Sequence, residues 1–139
     1  MSHYLSNSVE ETFALAEKIA KESKGGDIIA LYGDLGAGKT SFTKGFAKGL
    51  GIKKVVNSPT FVVMKIYSNK SGVGLVHVDA YRLSTASELS AIGIDDYLGN
   101  EKYITIIEWP EKVEGILPVG CRKIKISNLK SENQREIIF

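Results

Sequence analysis

Residues 33–40 read Gly33-Asp34-Leu35-Gly36-Ala37-Gly38-Lys39-Thr40, and the two flanks of this octapeptide differ in character. Before it runs "DIIALYG", a short apolar stretch that predicts a strand over about 27–32, buried on both faces as in a parallel or mixed sheet. After it runs "KTSFTKGFAKGLG", where Phe42, Phe46 and Leu50 recur at i, i+4 and i+8 and predict a helix ending near Gly51. A strand, a glycine-rich turn and a helix in that order are the context required by G-x-x-x-x-G-K-[ST], which the octapeptide fits in full. Glycines let the backbone curl until several N–H groups point inward at phosphate oxygens. The helix N-terminus adds partial positive charge, Lys39 adds a full one for the β- and γ-phosphates, and the Thr40 hydroxyl is a hard oxygen suited to Mg²⁺.

Outward from this loop the chain reads as alternating elements. Upstream, Ser8 and Glu11 form an S-x-x-E capping box ahead of Val9, Phe13, Ala16 and Ala20, which predicts a helix over about 9–23 closed by "KGG". Downstream, Ser58-Pro59-Thr60 reads as a loop entering a strand at 61–67, "FVVMKIY". "SNKSGVG" is a turn, and "LVHVD" at 75–79 closes an antiparallel hairpin. "SELSAIGIDDYL" reads as one or two short helices, "YITIIEW" as a strand over 103–109 stopped by Pro110, and "CRKIKIS" as a half-exposed strand that pairs with the terminal "REIIF". These elements predict an α/β protein with a P-loop NTPase-like three-layer fold and a mixed central sheet, built as one domain over residues 1–139.

Composition narrows the class of protein. The chain has 139 residues, of which 43% are hydrophobic and 24% charged, ordinary values for a globular protein. A chain near this length buries roughly 70% of its unfolded surface. Eighteen Lys and Arg against 16 Asp and Glu leave a net charge of +2, which does not mark a nucleic-acid binder. Cys121 is the single cysteine, so no disulfide forms within the chain, and it reads as a small buried apolar residue. No apolar run approaches the roughly 20 residues of a membrane helix. "MSHYLSNSVEE" lacks the pattern of a signal peptide, so a cytoplasmic protein is expected.

A bound Mg²⁺ calls for an acid on a neighbouring strand. Asp79 ends "LVHV" and Glu108 ends "ITII"; both fall at one sheet edge if their strands run parallel to 27–32. One acid is then expected on the metal and the other on the attacking water, in an order the spacing leaves open. Thr60 is a candidate γ-phosphate sensor, against the plainer reading of a strand-start threonine. Trp109, held extended by Pro110, is either a core residue or a cover for nucleotide or partner. His77 reads as a packed or hydrogen-bonded mid-strand residue, and Arg82 as a phosphate or partner ligand or one half of a surface ion pair. A GTPase is disfavoured because "DAYR" lacks the D-x-x-G glycine and no N-K-x-D occurs. A small-molecule kinase is disfavoured because only Arg82, Arg122 and Arg135 are present to build an arginine-rich lid. A nucleotide-gated binding module stays open beside an enzyme.

Together "GDLGAGKTSF", "SPTF", "HVDAYRL", "ELSAIGIDDYL" and "IIEWPEKV" resemble the TsaE family, formerly YjeE, from the N-terminal helix to about residue 128. Its members are bacterial ATPases required for threonylcarbamoyladenosine modification of tRNA at adenosine 37. The resemblance implies weak Mg²⁺-dependent ATP hydrolysis that supports turnover of a TsaB–TsaD transferase complex; the oligomeric state is left open with a monomer favoured, and the modest net charge leaves tRNA an indirect or weak partner. It implies ATP contacts from Gly33, Asp34, Leu35, Gly36, Ala37, Gly38, Lys39, Thr40, Ser41, Thr60 and Trp109. It also implies metal contacts from Thr40, Glu108 and Asp79, and catalysis by Asp79, Glu108 and Lys39. Ser41 stands where many members carry a second threonine and keeps the hydroxyl. Nothing carries over to "KSENQREIIF".

Overall fold

The computed structural model describes residues 1–59 and 61–139. Its centre is one seven-stranded mixed sheet. In chain order the elements are β1 (His3–Ser6), α1 (Val9–Glu22), β2 (Ile28–Tyr32), α2 (Lys39–Gly49), β3 (Met64–Tyr67), β4 (Gly74–Asp79), α3 (Ala86–Ala91), β5 (Tyr103–Glu108), β6 (Arg122–Asn128) and β7 (Arg135–Ile138), with 3-10 turns at Ile94–Asp96, Pro110–Lys112 and Glu114–Ile116. Across the sheet the order is β1-β7-β6-β2-β5-β4-β3. The four central strands β6, β2, β5 and β4 run parallel, and antiparallel strands finish both edges.

Alternation along β2 sends its side chains to two different cores. Ile29 and Leu31 pack with Ile104, Ile106, Ile124 and Ile126 under α1 and α2. Ile28 faces the other way, with Val76, Val78 and Ile107, under Leu89, Ile94 and Val113. This second outer layer is built from α3 and single 3-10 turns rather than a long helix, so the three layers are unequal. The N-cap forms as the sequence predicts, Ser8 Oγ accepting from Glu11 N–H, but the Glu11 carboxylate accepts from Asn7 N–H, one residue before the position a capping box uses. Helices α1 and α2 approach so closely at Gly45 that a Cβ there would lie 2.3 Å from the Phe13 carbonyl oxygen. Among the described residues no helix is long and apolar enough to cross a membrane.

Three local expectations need correction. The strand expected over 61–67 begins only at Met64, because Val62 and Val63 form a turn in which Val63 takes φ 68°. Trp109 is not extended: it sits in the left-handed region at φ 57°, ψ 49°. The N-terminal residues form a strand, β1, that the sequence did not suggest. It is four residues long and mostly exposed, and its pairing with β7 alone defines it.

Candidate functional site

The loop 33–38 leaves the C-terminal end of β2 and enters α2 at Gly38, whose φ of 100° only glycine adopts without strain. Parallel pairing then sets what faces it. Leu31 pairs with Glu108, and Glu108 pairs with Asp79, so both carboxylates end neighbouring strands on the level of the loop. This is the crevice at the C-terminal strand ends where open α/β sheets place ligands. A cavity of about 440 Å³ lies there, bounded by residues 35–41 of the loop and helix start, Ser58, Asp79, Tyr81, Glu108, Trp109 and Arg135.

Four ionisable side chains in or directly behind this crevice are nearly sealed from solvent: Lys39 at 6% exposure, His77 at 0%, Asp79 at 7% and Glu108 at 4%. Buried charge is costly unless it is partnered. Asp79 is partnered on both oxygens, by Ser58 Oγ at 3.4 Å and Tyr81 N–H at 3.0 Å. Its own N–H donates to the carbonyl of Val63, which explains where that strained turn is anchored. Glu108 Oε2 hydrogen-bonds His77 Nε2, whereas Oε1 makes no hydrogen bond among the described residues. Lys39 Nζ also makes none there, although it is buried. It lies 3.9 Å from the centroid of Trp109, a cation–π contact. Burial lowers the Lys39 pKa, against the opposing pull of Glu108 and Asp79. A buried ammonium without a hydrogen-bond acceptor, at the mouth of a glycine loop, fits a polyanionic ligand that would supply the oxygens.

Among the described residues no three His, Cys, Asp or Glu side chains converge as a metal-binding group. One hydroxyl and one or two carboxylates do converge. That sparse donor set fits Mg²⁺, which keeps several waters and takes its remaining ligands from phosphate.

Of the site residues read from the sequence, residues 35–41, Asp79, Glu108 and Trp109 line the cavity, whereas Gly33 and Asp34 line a neighbouring one beside Tyr32 and Glu111. Gly33–Ser41 form the loop and the start of α2, Asp79 and Glu108 face it, and Trp109 covers Lys39; Thr60 lies outside the described residues. Arg82 stacks on Phe61 instead of entering the crevice. Sequence reading gave no role to Ser58, Tyr81 or Arg135; it left His77 as packed or hydrogen-bonded, and the structure shows it hydrogen-bonded to Glu108. For His77 a signal existed: it precedes Asp79 by two, so strand alternation puts both on one face.

A glycine loop between a parallel strand and a helix, facing acids on the adjacent strand ends, places the chain among P-loop NTPase-like α/β proteins. It belongs to the TsaE family: the family model described as threonylcarbamoyl adenosine biosynthesis protein TsaE matches residues 6–137. The tRNA threonylcarbamoyladenosine biosynthesis protein TsaE of Bacillus subtilis is 45% identical over 130 residues, covering 94% of this chain and 79% of the relative. That of Treponema pallidum is 34% identical over 133 residues, 96% of each chain. The crystal structure of Bacillus subtilis YdiB superposes with a TM-score of 0.83 at 38% identity, covering 98% of this chain and 82% of that one.

Proposed function

We propose that this protein is a Mg²⁺-dependent ATPase that supports threonylcarbamoyladenosine modification of tRNA at adenosine 37. It would work as a single-domain cytoplasmic protein, monomeric on its own, with the TsaB–TsaD complex as partner and tRNA at most a weak contact. The observation that carries the nucleotide reading is Lys39, a buried ammonium beside the loop with no hydrogen-bond acceptor among the described residues. Family membership carries the role in tRNA modification.

Loop amides and Lys39 bind the phosphate tail and neutralise charge that shifts toward the leaving oxygen as water attacks the γ-phosphorus. The reaction is positioning plus electrostatics, with no covalent step on the protein. Thr40 and one carboxylate would hold Mg²⁺, which would supply Lewis-acid stabilisation of the phosphate oxygens when bound. Hydrogen bonding favours Glu108 for that place. Its Oε1 is uncommitted among the described residues while His77 steadies Oε2, whereas both oxygens of Asp79 accept hydrogen bonds, one from Tyr81 N–H in its own loop and one from Ser58 Oγ. Asp79 then orients the attacking water. Trp109 keeps bulk water from Lys39, and Thr60 is proposed as the hydroxyl that senses the γ-phosphate.

Titration calorimetry with Mg-ATP, followed by hydrolysis assays with and without TsaB–TsaD, tests the reading. Binding by the isolated protein, with slow turnover that rises when the partners are added, is expected. Absence of heat from well-folded protein, alone and in complex, overturns it. If a non-hydrolysable analogue sustains repeated rounds of tRNA modification, the protein is instead a nucleotide-gated binding module.

A further inference from the structure

Arg135 comes from the stretch to which the sequence assigned no role, yet its side chain ends on the glycine loop. It is the first residue of β7, fixed between Ser6 of β1 and Asn128 of β6. From there Nε donates to the carbonyl of Ala37 and Nη2 to the carbonyl of Gly36, each at 3.2 Å. Nη1 donates to the carbonyls of Glu132 and Gln134, each at 2.8 Å, which holds the planar fork in its own loop. Among the described residues no carboxylate pairs with this guanidinium, so its charge stands uncompensated in the wall of the crevice.

We infer that Arg135 is a positioning residue of the nucleotide site, clamping the Gly36 and Ala37 carbonyls so that the loop holds its phosphate-binding shape before any ligand arrives. The inference rests on the nucleotide reading above. The loop's peptide bonds are trans, so each N–H there points opposite to the preceding carbonyl. Gripping the Ala37 carbonyl therefore turns the Gly38 N–H, at the start of α2, away from the guanidinium. Gripping the Gly36 carbonyl likewise fixes the Ala37 N–H, which donates to the Asp34 carbonyl at 3.1 Å and closes the turn. Glycines at 36 and 38 give this loop wide backbone freedom, and a ligand that had to order it would lose affinity. Arginine suits the task because its fork reaches two carbonyls at once; an ammonium is a single point. The positive charge also acts directly on an anionic ligand in the crevice.

The test combines affinity, turnover and amide exchange. Arg135→Gln should weaken Mg-ATP binding about tenfold, the effect of losing one or two such hydrogen bonds, with turnover at saturation within about twofold of wild type. Arg135→Lys, which keeps charge and stem, should remain about fivefold weaker than wild type. Glu136→Ala, on the next residue of the same strand, should leave affinity unchanged. Without nucleotide, the Ala37 amide should exchange faster in Arg135→Gln, while the amides of residues 29–31 in β2 keep their protection. Affinity equal to wild type in Arg135→Gln, full recovery in Arg135→Lys, or an equal rise in exchange at Ala37 and in β2 each overturns the clamp. If wild type binds no Mg-ATP the nucleotide reading fails by itself, and the exchange experiment still decides whether Arg135 holds the loop.

Discussion

The two walls of the crevice are made differently. One wall, residues 33–41, is contiguous, and its geometry follows from local backbone rules: a strand end, glycines at left-handed φ, and a helix start. The opposite wall collects Ser58, Asp79, Tyr81, Glu108 and Trp109 from separate segments, with His77 buried behind Glu108, and the pairing of β4 with β5 and β5 with β2 sets its two carboxylates side by side. The first wall supplies donors and positive charge; the second supplies carboxylates. Damage to the first should therefore abolish binding, and damage to the second should spare binding and slow turnover.

The sharpest test of that division is Lys39→Met, which should raise the Mg-ATP dissociation constant by about 100-fold or more, because a desolvated charge is lost from a phosphate site. Calorimetry reads it, and retained affinity would place the phosphates elsewhere. The same variant should melt no lower than wild type without ligand, since burial makes the Lys39 charge unfavourable in the folded protein. The sign in pH follows. A lysine whose pKa is lowered on folding releases its proton sooner in the folded state, so stability rises with pH just below the ordinary lysine value of about 10.4. Any advantage of Lys39→Met in melting temperature should narrow over that alkaline range.

On the opposite wall, Glu108→Gln is isosteric and uncharged. It should lower kcat by about 100-fold and change the nucleotide dissociation constant only severalfold. Loss of affinity equal to that of Lys39→Met would erase the contrast between the walls. His77→Ala should lower kcat about tenfold by freeing the Glu108 carboxylate, with affinity held. His77→Gln should recover part of it, and full activity in His77→Ala would remove the histidine from the site. The smallest effect lies outside both walls: Ser8→Ala should cost about 1 kcal/mol in denaturant unfolding by uncapping α1, with Mg-ATP affinity unchanged.

Legibility in the sequence tracks the same contrast. The loop, α1 with its N-cap, and the strands β2, β4 and β5 were readable because each carries its own periodicity or motif. The acids could be proposed as neighbours because each closes an apolar run, but their pairing depended on strand direction. Three features were illegible for distinct reasons. β1 has too few residues and too much exposure to show alternation. Trp109 precedes proline, which disfavours the right-handed helical region and so suggested extended backbone; it took the left-handed region instead, where its ring covers Lys39. Arg135 reaches carbonyls almost a hundred positions upstream, and no local pattern encodes that approach.

By itself the sequence determined the α/β class, the glycine loop with its lysine and hydroxyls, and the two candidate acids, because those depend on residue type and on spacings within a few positions. The tertiary structure alone decided that Asp79 and Glu108 stand side by side, that His77 holds one and Ser58 the other, and that the terminal strand grips the loop. The reason is physical. Hydrogen-bond pairing between strands brings distant residues into register, and chain entropy gives no local hint of which strand will lie beside which until the sheet has formed.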